Sequence, residues 1–228
     1  MQLYIGNKNY SSWSMRAWVA MTQAGIAFEE IPLRLAFEAD SPFKVALARV
    51  APNGRVPVLV DDDGFAVWDT LAIAEYLAER FPDRALWPAD PKARARARSV
   101  CAEMHAGFAA LREHCTMNIE AELPQVGQRL MATQPAVASD LARITGLWQE
   151  ALDASGGPFL FGAFGIADAY FAPVGSRITT YGLPVPTPLL RYIDRVFAVP
   201  AVQAWCAAAR EEHDFIADDE PYRRAPAR

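Results

Sequence analysis

Along the first third of the chain the spacing of apolar positions changes several times. Residues 2–5 alternate, with Leu3 and Ile5 on one side, which predicts a short strand that Gly6 ends. The polar loop NKNYSSWS follows. A helix is predicted from about Ser14 to Thr22, with Trp18, Val19 and Met21 facing inward and Gly25 capping its end. FEEIPL predicts a second strand, weakened by Pro32, and residues 42–48 a short helix. VPVLV and FAVW are joined by DDDG, whose Asp63-Gly64 pair supplies the positive φ of a hairpin turn. From Leu71 the apolar positions recur at three and four (Ala74, Leu77, Ala78, Phe81) until Pro82 stops the helix. The predicted order is β-α-β-α-β-β-α. A crossover joins the first two strands in parallel and an antiparallel hairpin ends the sheet.

Beyond a proline-rich linker at 82–90, carrying Trp87, every pattern is helical. Asp90-Pro91 is an N-cap followed by proline at the first helical position. Ala97, Val100, Cys101, Met104, Phe108, Leu111 and Cys115 then predict one helix of about 25 residues. Pro135 opens a helix that Gly156-Gly157-Pro158 ends. Another is predicted from about Ile166 to Tyr181, and Thr187-Pro188 and Val199-Pro200 begin two more. The tail after Phe215 is polar and predicts either a loose end or a flap over a cleft. The division is residues 1–81, linker 82–90, and helical residues 91–228.

Composition narrows the function classes. With 52% hydrophobic and 21% charged residues, the chain is globular rather than disordered. A net charge of −5 argues against nucleic acid as the main partner. No apolar run reaches the roughly 20 residues of a membrane helix, and no signal pattern opens the chain, so the expected address is the cytoplasm. Its three cysteines form no disulfide framework, and its three histidines have no metal-ligand spacing. Cys101 and Cys115, on one predicted helix, stand roughly 21 Å apart. The cysteines read as buried apolar groups, and no metal is expected.

The chemistry centres on residues 52–81. Pro57 belongs at a strand start, and there it leaves the Val56 N–H and C=O free to pair with an extended peptide. Asp69-Thr70 opens a helix whose N-terminus suits a carboxylate. A plain hairpin and a capped helix account for the same residues.

The chain as a whole resembles the cytosolic glutathione transferases. NGRVPVL resembles their valine–cis-proline element, WDTLAIAEYL their acidic-then-hydroxyl pair, and FGIADAYFAPV the helical motif ending in Ala167-Asp168, with Gly165 in place of the usual Ser/Thr cap. The resemblance implies an α+β thioredoxin-like N-terminal domain followed by an all-α helical bundle, glutathione as co-substrate, and a homodimer. It implies glutathione contacts from Trp13, Arg55, Val56, Pro57, Asp69 and Thr70.

SSWSMRAW is similar to the serine-type classes. Zeta and tau spacing to Arg16 selects Ser11, the preferred residue; theta and delta spacing selects Ser12, and Tyr10 stands in the place of the tyrosine classes. A free thiol with a pKa of about 8.5 is only about 3% ionised at neutral pH. One hydroxyl donating to the thiolate contributes about 1.5–3 kcal/mol and lowers that pKa by roughly one to two units. The thiolate then attacks an electrophilic carbon. The electrophile site is expected among Trp13, Met104, His105, Phe108, Arg177 and Tyr181. The lack of cysteine before position 101 excludes the mixed-disulfide branch. Where the zeta pattern reads Ser-Ser-Cys, Trp13 follows the serines, which argues against maleylacetoacetate isomerisation. A glutathione-dependent isomerase or dehalogenase and a non-enzymatic glutathione-binding module are the alternatives to a transferase.

Overall fold

The computed structural model describes residues 1–224, so residues 225–228 of the expected helical domain lie outside the described residues. In chain order the strands are β1 (Gln2–Ile5), β2 (Glu29–Pro32), β3 (Val58–Val60) and β4 (Ala66–Trp68). The helices are α1 (Ser12–Gln23), α2 (Pro42–Leu47), α3 (Thr70–Arg80), α4 (Pro91–Ala106), α5 (Ala109–His114), α6 (Pro124–Thr133), α7 (Pro135–Ser155), α8 (Ile166–Tyr181), α9 (Thr187–Phe197) and α10 (Pro200–Glu211).

The sheet runs β2-β1-β3-β4. β1 is parallel to β2 and antiparallel to β3, with Leu3 opposite both Glu30 and Leu59, and β4 returns antiparallel on β3. Pro32 ends the edge strand β2, where a missing N–H disrupts no interior ladder. Leu3, Ile5 and Leu59 are buried in the same apolar core as Met15, Val19, Ile73 and Leu77 of α1 and α3. This is a thioredoxin-like α+β unit followed by a helical bundle. α8 is its axis: nearly every residue is buried, and it packs on α1, α4, α6 and α9. The α1–α8 contact sets the first helix of the sheet unit against the helical half.

Four sequence expectations change. α1 starts two residues early because Ser11 caps it, its Oγ accepting the Ser14 N–H at 3.4 Å. The single long helix breaks in two: Gly107 leaves helical geometry and Phe108 takes φ +55°. Cys101 and Cys115 therefore belong to different segments, although the apolar period survives and both stay buried and unbonded. α6 was missed. It crosses the end of α8 so closely that a Cβ on Gly127 would sit 1.8 Å from the Tyr181 carbonyl oxygen, and the glycine that permits this weakens the helical signal. Finally, the tail is not loose over its described part. Ile216 and Glu220 are buried, Thr116 Oγ1 donates to the Asp219 carbonyl at 3.0 Å, and Tyr222 donates to the His114 carbonyl at 2.9 Å.

Candidate active site

The N-terminal loop is fixed by its backbone. The Asn7 carbonyl accepts the Ser11 N–H at 2.8 Å, and the Glu212 carboxylate accepts the N–H groups of Lys8 and Asn9 at 2.6 and 3.1 Å. This delivers Ser11 and Ser12, both buried, to the N-terminus of α1. The Ser11 hydroxyl meets Ser14 Oγ at 2.7 Å, and Ser12 Oγ accepts a guanidinium N–H of Arg177 at 3.3 Å. Tyr10 is committed elsewhere. Its hydroxyl lies 2.8 Å from both the Asp214 carbonyl and the Glu220 carboxylate, and burial together with that carboxylate raises its pKa.

The facing wall comes from the sheet edge. The Val56–Pro57 peptide is cis, and neither the N–H nor the C=O of Val56 is paired among the described residues. Asp69 caps α3, its Oδ1 accepting the Leu71 N–H at 2.9 Å. It does so at φ +76°, a conformation costing of order 1–3 kcal/mol for a residue with a Cβ. Thr70 donates to the Trp13 carbonyl at 3.3 Å, and His105 of α4 reaches Asp69 Oδ2 at 3.2 Å.

Two adjoining cavities result. A larger one of about 500 Å³ is lined by Ser11, Ser12, Arg177, Asp219 and others, and a smaller one of about 280 Å³ by Pro57, Asp69, Thr70 and His105. Trp13, Arg55, Val56 and Arg112 line both. His105 thus stands at the Asp69 end rather than with the larger cavity. Met104 and Phe108 line neither; they pack in the core. Tyr181 is buried against Thr116 and also lines neither cavity.

Cations dominate these walls. Lys44, Arg55, Arg112 and Arg177 line the larger cavity, against Asp219 as the one acidic residue there among the described residues. Arg177 is buried, and its three hydrogen bonds go to neutral oxygens: the carbonyls of Cys115 at 2.7 Å and Pro173 at 3.2 Å, and Ser12 Oγ. Burial lowers its pKa to about 10. Burial raises Asp219 to about 6, with Asp218 adding to the rise and Arg177 opposing it. Beneath Trp13, a second buried arginine, Arg16, stacks 4.1 Å from the indole centroid and 4.8 Å from that of Tyr170. Its Nη1 and Nη2 find no partner among the described residues, and burial lowers its pKa to about 9.

Sequence reasoning missed Arg112, Lys44 and Asp219. Arg112 turns toward the cleft because the helix breaks at Gly107, and that glycine inside an apolar period was the available signal. Lys44 and Asp219 sit on segments whose placement depends on tertiary packing.

Far from the cleft, Asp168 anchors α8. Oδ1 accepts the Leu160 N–H at 3.1 Å and the Tyr192 hydroxyl at 3.0 Å, and Oδ2 accepts the Gly165 N–H at 3.0 Å. The glycine at the cap has a steric reason: a Cβ there would lie 3.1 Å from the Leu86 carbonyl oxygen of the linker.

A sheet edge with a cis-proline, a capped helix start beside it and a helical bundle closing the cleft define the glutathione transferase architecture. Residues 10–80 match the family model described as the glutathione S-transferase N-terminal domain. Maleylacetoacetate isomerase of Pseudomonas aeruginosa is 33% identical over 119 residues, which is 52% of this chain and 55% of that protein. The maleylacetoacetate isomerase of Rattus norvegicus is 28% identical over 199 residues, 86% of each chain. Among solved structures, a glutathione transferase homolog from Burkholderia strain BGR1, with bound glutathione, superposes with a TM-score of 0.68 at 29% identity, covering 92% of this chain and 98% of that one. Maleylacetoacetate isomerase from Methylobacterium extorquens AM1, with bound malonate and glutathione, gives a TM-score of 0.66 at 28% identity, covering 92% and 97%. Residues 10–80 thus carry the glutathione S-transferase N-terminal domain, and the chain as a whole has the glutathione transferase fold.

Proposed function

We propose that the chain binds glutathione along Val56 and at the Asp69–Thr70 helix start, holds its sulfur as thiolate beside Ser11, and directs it at a small electrophilic acid. The observation that carries the acid is Arg177: a buried cation next to Ser12 whose donors meet only neutral oxygens. Asp219 on the same cavity accepts no hydrogen bond from it and is itself raised by burial to about 6, so a substrate carboxylate supplies the missing partner. Arg112 adds a second charge on the same cavity.

The γ-glutamyl end fits the smaller cavity, where the α3 N-terminus meets its carboxylate and Asp69 its ammonium. The sulfur then lies toward the larger cavity. Ser11 donates to it, and the α1 N-terminus and the buried Arg16 charge favour the anion further. In conjugation to an unsaturated acid, the S–C bond forms at the β-carbon, the π pair moves to the α-carbon, and a solvent proton completes the adduct.

A second reading shares the first step. If the adduct rotates about its former double bond and expels the thiolate, the net reaction is cis–trans isomerisation. The cationic cavity favours it, as do the isomerase relatives and the malonate bound in one of them. Trp13 at the zeta cysteine position favours conjugation. A cis-unsaturated dicarboxylic acid separates the two. Thiol titration records loss of one glutathione per turnover in conjugation, and constant glutathione with appearance of the trans acid in isomerisation. Glutathione binding without turnover on acidic or neutral electrophiles rejects both.

Ser11→Ala should raise the bound thiol's pKa by about one to two units and slow conjugation roughly tenfold at neutral pH. Thiolate absorbance against pH measures the first. If Ser12→Ala produces the shift and Ser11→Ala does not, the activating hydroxyl is Ser12. The homodimer and cytoplasmic address rest on family resemblance, and light scattering tests the dimer.

A further inference from the structure

Ser14 is fully buried at the third position of α1 and lines neither cavity, yet its hydroxyl is tied into the proposed chemistry. A side chain at this position ordinarily reaches back to the N–H of the N-cap residue. Here that N–H is already taken by the Asn7 carbonyl. Ser14 Oγ instead accepts the Gly6 N–H at 3.1 Å and lies 2.7 Å from Ser11 Oγ. Ser11 Oγ also accepts the Ser14 N–H, at 3.4 Å.

We infer that Ser14 is a positioning residue for thiol activation: it backs Ser11 in a relay running from the Gly6 N–H through the Ser14 hydroxyl and the Ser11 hydroxyl to the glutathione sulfur. The Ser11 hydroxyl donates to Ser14 Oγ. When a thiolate arrives, both hydroxyls rotate, which breaks no covalent bond and needs no proton transfer. Ser14 then donates to Ser11, and Ser11 donates to sulfur. Each link polarises the next, so the terminal O–H is a stronger donor than an isolated serine. The relay also fixes the Ser11 rotamer, because its oxygen accepts the Ser14 amide and hydroxyl together. This rests on the assignment of Ser11 above.

The test measures the pKa of bound glutathione in Ser14→Ala, with glutathione affinity and melting temperature recorded in parallel. Removing one link should raise the thiol pKa by roughly half a unit. The rate below that pKa then falls about threefold, with glutathione affinity unchanged. Because Ser14→Ala also orphans the Gly6 amide, Ser14→Cys serves as a near-isosteric variant with a weak donor; it should show the same rise. Ser14→Thr, which keeps the hydroxyl, should restore the wild-type value. A lower melting temperature with an unmoved thiol pKa in both Ala and Cys variants overturns the relay, as does a lowered pKa, which would mean that Ser14 competes for the Ser11 proton. Ser11→Ala distinguishes the levels. If it raises the pKa while the Ser14 variants do not, only the relay fails; if it has no effect, the assignment of Ser11 fails first.

Discussion

Arg177→Met should lower kcat/KM for an anionic electrophile about 100-fold, equivalent to about 2.7 kcal/mol, while a neutral electrophile is affected far less. The change removes the buried charge beside Ser12 and keeps an unbranched side chain of comparable reach. Its effect on stability should be small, because two terms oppose each other. Among the described residues Arg177 forms no hydrogen bond to a carboxylate, and burial has already lowered its pKa to about 10. Relief of the desolvated charge opposes the loss of the donors to the Cys115 and Pro173 carbonyls and to Ser12 Oγ. Steady-state kinetics on a matched acid and ester, together with thermal unfolding, read both halves. Equal losses on acid and ester would remove substrate-carboxylate recognition from the account.

Asp168→Ala should destabilise the fold by about 3–5 kcal/mol, because it strands the Leu160 and Gly165 N–H groups and the Tyr192 hydroxyl in the interior. For a chain of this size that corresponds to a fall of roughly 10 °C in Tm. The effect should appear in thermal unfolding, with glutathione affinity of the folded fraction retained. The carboxyl also gives a signed pH dependence. Burial raises it from an ordinary value near 4 to about 6, the three donors only partly opposing this. Between those values the folded state holds more proton than the unfolded chain. Its contribution to stability therefore falls as pH rises from about 4 through 6. Asp168→Ala should lose that component of the slope, measured by denaturant unfolding at pH 4.5 and 7.

The sheet unit was legible because its signals are local: Asp63-Gly64 makes its own turn, Pro57 marks its own strand start, and Asp69 caps the helix it precedes. The two halves of the cleft were legible for the same reason, since Val56, Asp69, Thr70, Ser11 and Ser12 all lie at element ends. The lining of the larger cavity was legible only in part. Met104 and Phe108 keep the same period whether they face a pocket or a core, so periodicity cannot separate those roles. Arg112 depends on how far the chain rotates at Gly107–Phe108, a backbone angle no local pattern sets. Asp219 reaches the cavity on a tail held by Tyr10, Thr116 and His114, all far away in sequence.

That tail bears on where the Ser11 loop gets its rigidity. Glu212, Asp214 and Glu220 hold Lys8, Asn9 and Tyr10 across separations of 203 to 210 residues. The sheet unit folded by itself would leave this loop unbraced, so the serines reach their places only when both halves of the chain are folded.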